Sequence, residues 1–293
     1  MPELPEVESI RLGLLKVIMD QKILKINIFN EKIISSNSNI RIANKEKTAD
    51  FIKNLINKKI INISRRAKNI IIEMEDESII LIHLKMTGQL MYNTSPHKHT
   101  HIIWELENGR LYYNDIRKFG YVLYYNNIEE AITNGHFQKM GVEPLDNALS
   151  QQYTSDITKS YFTLGYFTKA LANKKKSIKA ALLAQDIVVG VGNIYADEIC
   201  FASKILPQRL CPTLTEKEAR TLYHNIKNIL QKSIDLGGSS VSDYMLADGS
   251  KGNYAQEHKV YGRSGKKCLE CSGALLKDTI AGRTTVYCQV CQK

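Results

Sequence analysis

The chain has no uninterrupted apolar run long enough to span a bilayer, which argues against a helical membrane protein. Its opening residues are acidic, with no apolar stretch behind a basic one, so no secretory leader is expected. An intracellular, reducing compartment follows as the expectation. No internal repeat and no low-complexity segment is present. Cysteine is scarce. Four of the six cysteines form a regular pattern near the C-terminus, and Cys200 and Cys211 read as reduced structural thiols. Negative charge is in the minority, with 30 Asp and Glu against 40 Lys and Arg, a formal net charge of +10. A basic excess suits a polyanionic partner, nucleic acid or a membrane surface. Heavy use of Ile, Asn and Lys could also arise from coding bias, so the placement of charge outweighs its sum.

What is present points to an α+β multidomain protein. A length of 293 residues suits two domains and a small module. The first stretch, Met-Pro-Glu-Leu-Pro-Glu-Val-Glu, has two readings. If Met1 is removed, Pro2 exposes a secondary α-amine. With a reference pKa near ~8, a usable fraction is neutral around pH 7. Such an amine can attack a sugar aldehyde carbon and give an iminium, an electron sink suited to elimination. Glu3 lies beside it, able to move protons. The plainer reading is a helix start: proline favours the first turn, and Glu3, Glu6 and Glu8 favour the positive end of the dipole. Val7, Ile10, Leu14 and Ile18 keep helical spacing. Both readings hold together if the first turn presents the amine and the carboxylates.

A mostly β region follows. Strands are expected at 23–29, 59–64, 69–74, 78–84, 100–106, 110–114 and 121–125, with a short helix at 50–57 and a hairpin turn at Glu107-Asn108-Gly109. They predict a β-sandwich or flattened barrel with helices at its edges. Three loops carry suspicious residues. Arg65-Arg66-Ala67-Lys68 reads as a solvated turn or as a phosphate clamp with one lysine aimed at a reaction centre. Met86, in Lys85-Met86-Thr87-Gly88, reads as core filler or as an apolar wedge. Arg117 and Phe119, in Asp115-Ile116-Arg117-Lys118-Phe119-Gly120, would point the same way on an extended loop and could enter a base stack. His97, His99 and His101 alternate as if on one strand face, where phosphate contact or exposure is favoured over metal.

Gly141-Val142-Glu143-Pro144-Leu145-Asp146 marks a linker. Helices are expected at 158–172, 177–185, up to about Ala202, and from Thr215, with Glu218 closing a capping box, to about Leu236. Gly190-Val191-Gly192-Asn193 links two of them. Its backbone N–H groups and the next helix dipole make an anion site, with Asn193 capping the helix. Lys174-Lys175-Lys176 lies nearby in sequence. The Gly-, Ser- and Asp-rich stretch after Gly237 reads as a mobile lid or a disordered connector.

Cys268-x-x-Cys271 and Cys288-x-x-Cys291 lie within the roughly 15–20 residue window of a four-Cys zinc site. Thiolates at this spacing close a tetrahedron around one structural Zn²⁺. Strands at 275–280 and 284–287 would form a rigid basic hairpin with Arg283 at its tip, suited to a nucleic-acid groove. The whole divides into a β-sandwich domain over 1–134, a linker over 135–150, a helical domain over 151–238, a loop over 239–256 and a zinc module over 257–293.

Six motifs in order resemble the bacterial formamidopyrimidine-DNA glycosylase family: the Pro2-Glu3 start, Arg-Arg-Ala-Lys at 65–68, His-Leu-Lys-Met-Thr-Gly at 83–88, Val-Gly-Val-Gly-Asn-Ile-Tyr-Ala at 189–196, Val-Tyr-Gly-Arg at 260–263, and the terminal cysteine hairpin. The resemblance covers essentially the whole chain. It implies a monomeric, cytoplasmic enzyme of base excision repair, with a helix-two-turn-helix domain in the middle. That enzyme removes oxidised purines from double-stranded DNA and cleaves at the abasic site. By resemblance, Pro2 is the Schiff-base nucleophile, Glu3 the proton donor, Lys68 the aid to β-elimination and Arg283 the aid to δ-elimination. Met86, Arg117 and Phe119 fill the gap left by an extruded nucleotide. His99, Arg117, Lys175 and Asn193 contact DNA, and the loop over 239–254 covers the flipped base. The family often has Asp-Pro-Arg-Arg-Phe-Gly where this chain has Ile116 and Lys118, which implies altered loop stiffness. The stretch before His97 is short. Two rivals are an endonuclease VIII-type enzyme for oxidised pyrimidines and a non-catalytic zinc-dependent DNA-binding protein. Leu4 and the Met86 loop favour the purine enzyme, and the Pro2-Glu3 start has no role in a mere binder.

Overall fold

A computed structural model describes residues 1–36, 41–145, 161–241 and 243–293. The chain forms two compact units: Met1–Gln138 with Gly237–Asn253, and Lys139–Leu236 with Tyr254–Lys293. The expected linker and the start of the helix expected from residue 158 lie partly outside the described residues.

The first unit is a β-sandwich with flanking helices. Helix α1 (Leu4–Val17) leads into β1 (Ile23–Ile28), a single-turn α2 (Lys32–Ser35) and α3 (Lys45–Leu55). Seven strands follow: β2 (Ile60–Arg66), β3 (Asn69–Met74), β4 (Ile79–His83), β5 (Gly88–Tyr92), β6 (Thr100–Leu106), β7 (Gly109–Asp115) and β8 (Tyr121–Tyr125). They make two four-stranded sheets, ordered β1-β6-β7-β5 and β2-β3-β4-β8, in which every pairing is antiparallel. A short α4 (Ile128–Thr133) closes the region. Val7, Ile10, Leu14 and Ile18 enter one core with Ile63, Ile72, Leu90 and Trp104, as the helical spacing requires.

Strand β5 was not expected. Only three hydrophobic residues, Leu90, Met91 and Tyr92, follow Gln89, and the strand abuts a turn, so its period-two signal is short. It pairs with β7 from Gly88↔Asp115 to Tyr92↔Leu111. Gly88 is required there, because a Cβ would lie 2.6 Å from the Leu84 carbonyl oxygen. Residues 244–247 lean on the same region: Tyr92 N–H donates to the Ala247 carbonyl at 2.8 Å, and Tyr244 and Ala247 join the core.

The second unit is helical with a terminal hairpin. It contains α5 (Leu164–Ala172), α6 (Ile178–Leu183), α7 (Asn193–Ala202) and α8 (Glu216–Asp235). The capping box at Thr215 and Glu218 is present. Strands β9 (Leu276–Ile280) and β10 (Arg283–Tyr287) pair as a hairpin. Ala281 and Gly282 both take positive φ, 50° and 70°, the pattern of a two-residue hairpin turn whose twist matches the strands. Arg283 is therefore the first residue of β10, one step past the tip. Phe201 of α7 packs with Val260, Leu275, Val286, Cys268 and Cys288, which seats the cysteine module on the helices. Among the described residues no helix is long and apolar enough to cross a membrane.

Candidate active site

The N-terminal turn is clipped from two sides. Glu3 is the N-cap of α1, and Pro5 rather than Pro2 occupies the first helical turn. Pro2 and Glu3 are both buried. The Glu6 carboxylate accepts the Glu3 N–H at 2.7 Å through one oxygen and the Ser239 N–H at 2.8 Å through the other. The Tyr244 hydroxyl lies 2.9 Å from the Gly237 carbonyl and 3.3 Å from that of Glu6. One carboxylate thus ties the helix start to the segment after Gly237, which holds both backbones in a fixed relation.

The Arg65–Lys68 cluster is not a solvated turn, and Arg65 is not a surface phosphate clamp. Arg65, Arg66 and Lys68 are all buried. Arg65 Nε donates to Glu8 at 2.8 Å, and its Nη1 donates to the Ala67 carbonyl at 2.9 Å. Arg11 binds the same carboxylate at 2.5 Å and reaches the Ile63 carbonyl at 3.2 Å. Burial alone would push the Glu8 carboxyl up, but the hydrogen bonds and charges of Arg11 and Arg65 outweigh it and hold it below its ordinary value. The sequence reading missed this role for Glu8. Its only local sign was the Glu8–Arg11 spacing on one helix face. The result is that Lys68 stands on a turn braced from α1. His83, opposite Asn69 across β3 and β4, accepts the Lys85 N–H through Nδ1 at 3.0 Å. Burial, then the charges of Lys85 and Lys68, push its pKa down to about 3, so the ring is neutral at pH 7.

The two suspected wedge loops do converge. Arg117 Nη1 lies 3.0 Å from the Met86 sulfur, and the Arg117 guanidinium stacks 4.7 Å from the centre of the Phe119 ring. Met86, Arg117 and Phe119 are exposed. Thr87 and Asp115 join the loops at their base: the Thr87 hydroxyl donates to Asp115 at 2.5 Å, and the Arg117 N–H donates to Thr87 Oγ1 at 3.0 Å. The second Asp115 oxygen accepts the Gly120 N–H at 2.8 Å. The three histidines do not share a strand face. Only His101 lies in β6, where it is buried with Nε2 2.7 Å from the Asp115 carbonyl. His97 and His99 precede the strand in a turn, because the chain bends before Thr100. The His99 carbonyl accepts the Asp115 N–H at 3.0 Å, which puts His99 at the foot of the Arg117 loop.

In the second unit, Lys175 is exposed in the turn before α6. The Gly190–Asn193 link differs from expectation in two respects. The Gly190 N–H is taken by Gln185 Oε1 at 2.8 Å, and the same amide donates to the Val191 carbonyl at 2.6 Å, so Gln185 shapes the link from within. Gly192, not Asn193, is the N-cap of α7. Asn193 is the first helical residue, and its amide donates to the Thr284 carbonyl on β10 at 2.9 Å. Beside it lies an ion pair that the sequence reading also missed. Lys179 and Asp197, side chains fully buried, meet at 2.6 Å. Lys179 also donates to the Thr284 carbonyl at 3.0 Å and to the Thr285 hydroxyl at 2.8 Å, and Asp197 accepts the Val286 N–H at 3.1 Å. Burial pushes the Asp197 carboxyl up and Lys179 pulls it only part of the way back. The pair rivets α6 and α7 to the strand that begins with Arg283. Its one sequence sign was a lysine between Ile178 and the apolar Ala181 and Leu182 of α6.

The four sulfurs of Cys268, Cys271, Cys288 and Cys291 all lie within 4.8 Å of one another, close enough to hold a metal ion. Two of the separations are 3.8 and 3.4 Å. A tetrahedral zinc with bonds near 2.3 Å sets its sulfurs about 3.8 Å apart. The donor set therefore fits.

Comparison with known proteins places this geometry. Residues 1–122 match the model of the formamidopyrimidine-DNA glycosylase N-terminal domain, and residues 140–245 match that of the formamidopyrimidine-DNA glycosylase H2TH domain. A formamidopyrimidine-DNA glycosylase of Desulfitobacterium hafniense is 37% identical, with 100% of each chain covered. Wild-type Lactococcus lactis Fpg (MutM), solved with DNA containing N7-benzyl-Fapy-dG, superposes with a TM-score of 0.85 at 34% identity over 100% of each chain. The same wild-type protein solved with DNA containing an oxidised pyrimidine gives 0.84 at 34% identity, again over 100% of each chain.

Proposed function

The chain belongs to the formamidopyrimidine-DNA glycosylase family and is a DNA glycosylase of DNA repair; from that premise we propose that it excises oxidised purines, such as 8-oxoguanine and formamidopyrimidines, from duplex DNA and then cleaves the strand at the abasic site. The observation that carries this reading is the clipped N-terminus. Glu6 fixes the backbone of Glu3 beside Pro2, so a carboxyl group and a potential amine are held together at a buried helix start.

The chemistry follows from those two groups. Removal of Met1 turns the Pro2 nitrogen from an amide into a secondary amine. Its lone pair attacks the sugar C1′, the glycosidic bond breaks, and the base leaves with its electron pair. The new bond leaves an extra proton on the nitrogen, which passes to the departing base. As Glu3 supplies a proton to O4′, the nitrogen lone pair forms the N=C1′ bond and the C1′–O4′ bond breaks, opening the ring. The resulting iminium draws electrons from C2′: a C2′ proton is lost and the C3′–O bond breaks, releasing the 3′ phosphate. Lys68, on its braced turn, assists this β-elimination. A second elimination releases the 5′ phosphate with help from Arg283. Met86, Arg117 and Phe119 fill the space of the extruded nucleotide and offset part of the few kcal/mol that unstacking costs. His99, Lys175 and Asn193 take up backbone contacts, and the segment over 239–254 covers the extruded base. Cys268, Cys271, Cys288 and Cys291 hold one structural Zn²⁺, which supplies rigidity to the hairpin and no step of the reaction. The enzyme acts as a monomer in the bacterial cytoplasm.

The test is borohydride trapping with Met1-processed protein and a duplex carrying 8-oxoguanine opposite cytosine. A covalent complex is expected, and its absence from active protein overturns the Schiff-base route. One observation favours a second reading, oxidised pyrimidines as substrates: the L. lactis protein was solved with such DNA. Parallel excision of 8-oxoguanine and thymine glycol decides between the two.

A further inference from the structure

The exposed tip of the Arg117 loop is held in a conformation that its own residues do not favour. Lys118 takes φ +58°, a left-handed torsion that costs a side-chain-bearing residue energy. Ile116 leaves a torsion free that a proline would lock. Residues 116–119 are all exposed, so no core packing fixes them. Gly120 is confined, since a Cβ there would lie 1.9 Å from the Tyr113 hydroxyl and 2.9 Å from the His83 carbonyl oxygen. Asp115 accounts for the N–H side of the loop, binding the amides of Arg117 and Gly120. The carbonyl side is bound from a distant stretch. Arg41, in the chain between α2 and α3, donates through Nη1 to the Gly120 carbonyl and through Nη2 to the Lys118 carbonyl. Its charge also helps burial depress the Lys85 amine on the neighbouring loop.

We propose that Arg41 is a positioning residue for base extrusion: its planar guanidinium grips the two carbonyls that flank Phe119 and so holds the Arg117–Phe119 pair outward as a preformed wedge. A guanidinium suits this task because its donors point in fixed directions and it never loses its charge. Asp115 and Arg41 together tie the backbone at 117, 118 and 120, leaving the side chains of 117 and 119 free to enter a base stack. A loop already ordered spares the ordering entropy at the moment the duplex opens. The inference rests on the glycosylase reading for what the wedge acts upon.

The test compares Met1-processed wild type, Phe119→Ala, Arg41→Ala and Arg41→Lys. Extrusion is followed by 2-aminopurine fluorescence beside 8-oxoguanine in a duplex, and strand cleavage is measured on single-stranded DNA with an abasic site, which has no stack to open. Arg41→Ala is expected to slow extrusion and duplex excision roughly tenfold, the scale of one lost charge-assisted hydrogen bond. It keeps single-strand cleavage within about twofold of wild type. Arg41→Lys, which keeps the charge but not the fork, falls between. Amide hydrogen exchange at Arg117 and Gly120 is expected to speed up in Arg41→Ala. Wild-type extrusion in Arg41→Ala, or equal losses on both DNAs, overturns the proposal. Wild type that does not excise 8-oxoguanine counts against the proposed function instead, and the exchange measurement then decides Arg41: unchanged protection overturns it.

Discussion

Each unit of this protein buries an ion cluster beneath a turn or strand that carries a basic side chain, and the two clusters are built differently. In the first, Glu8 is held by two guanidiniums, Arg11 and Arg65, and the cluster braces the turn of Lys68. In the second, Asp197 is held by a single ammonium, Lys179, and the pair braces the strand that begins with Arg283. Burial raises both carboxyls. Two cations reverse that in Glu8, whereas one cation does not in Asp197. The clusters differ in the number of cations facing the carboxyl, and Asp197 is also the more deeply buried. Asp197 can take up a proton when its partner is lost; Arg11 and Arg65 cannot release one.

The metal proposed for the four cysteines would be a second anchor for the hairpin, and removing it has the largest expected effect. Cys268→Ser should release the metal and strip amide protection from β9 and from the turn at Ala281 and Gly282, because ligand-bound metal contributes folding free energy directly. DNA affinity should fall by roughly tenfold or more with loss of an ordered basic hairpin. Protection at Thr285 and Val286 should partly persist, since Lys179 and Asp197 hold them independently. Loss of all protection in β10 would show that the ion pair has no holding power of its own.

Glu8→Gln comes next. It strands two permanently charged guanidiniums in a buried site, and the cost should be about 3–5 kcal/mol. Urea unfolding of the variant should show a loss that is flat from pH 6 to pH 8, where neither arginine titrates. Lys179→Met strands a carboxyl instead. The folded-state pKa of Asp197, already raised to about 7, rises further without Lys179. A folded state that holds a proton the unfolded state releases loses stability as pH rises from near ~4 through the folded value. The cost should therefore be about 3 kcal/mol at pH 8 and clearly less at pH 6. Equal pH dependence in the two variants breaks the contrast.

What could be seen in the sequence was local. The α1 apolar spacing, the α8 capping box, the Cys-x-x-Cys pairs and seven of the eight sandwich strands, at or close to their observed limits, all lie within a few turns of chain. Tyr121–Tyr125 was found at its observed bounds, and β5 escaped because its alternating run is short. The pairings that brace the candidate site are distant in sequence. Glu8 meets Arg65, Thr87 meets Asp115, and Lys179 meets Thr285. No periodicity encodes such partners, so Arg65 read as a surface cation and Lys179 drew no notice. The alternating histidines misled for the same reason. Period two implies a shared face only where a strand exists, and the strand begins at Thr100.

The smallest expected effect contrasts the two capping boxes. At α8, Glu218 accepts the Thr215 N–H at 2.8 Å and binds Arg209 at 2.6 Å, with its side chain 29% exposed. The Arg209 hydrogen bond leads in pushing its pKa down to about 2. Glu218→Ala should cost about 1 kcal/mol at pH 7, because solvent screens a half-open pair. A depressed carboxyl contributes stability above its unfolded pKa, near ~4.3, and loses it as pH falls toward the folded value. Wild type and variant should thus converge only as pH falls through about 2 in thermal melts. At α1 the same motif is buried, and Glu6 spends its second oxygen on Ser239. Glu6→Ala should therefore act beyond its helix, speeding amide exchange at Ser239 as well as at Glu3. If only Glu3 responds, the box is a helix cap like that of α8, and contacts such as those of Tyr244 with Gly237 and of Tyr92 with Ala247 hold the segment after Gly237.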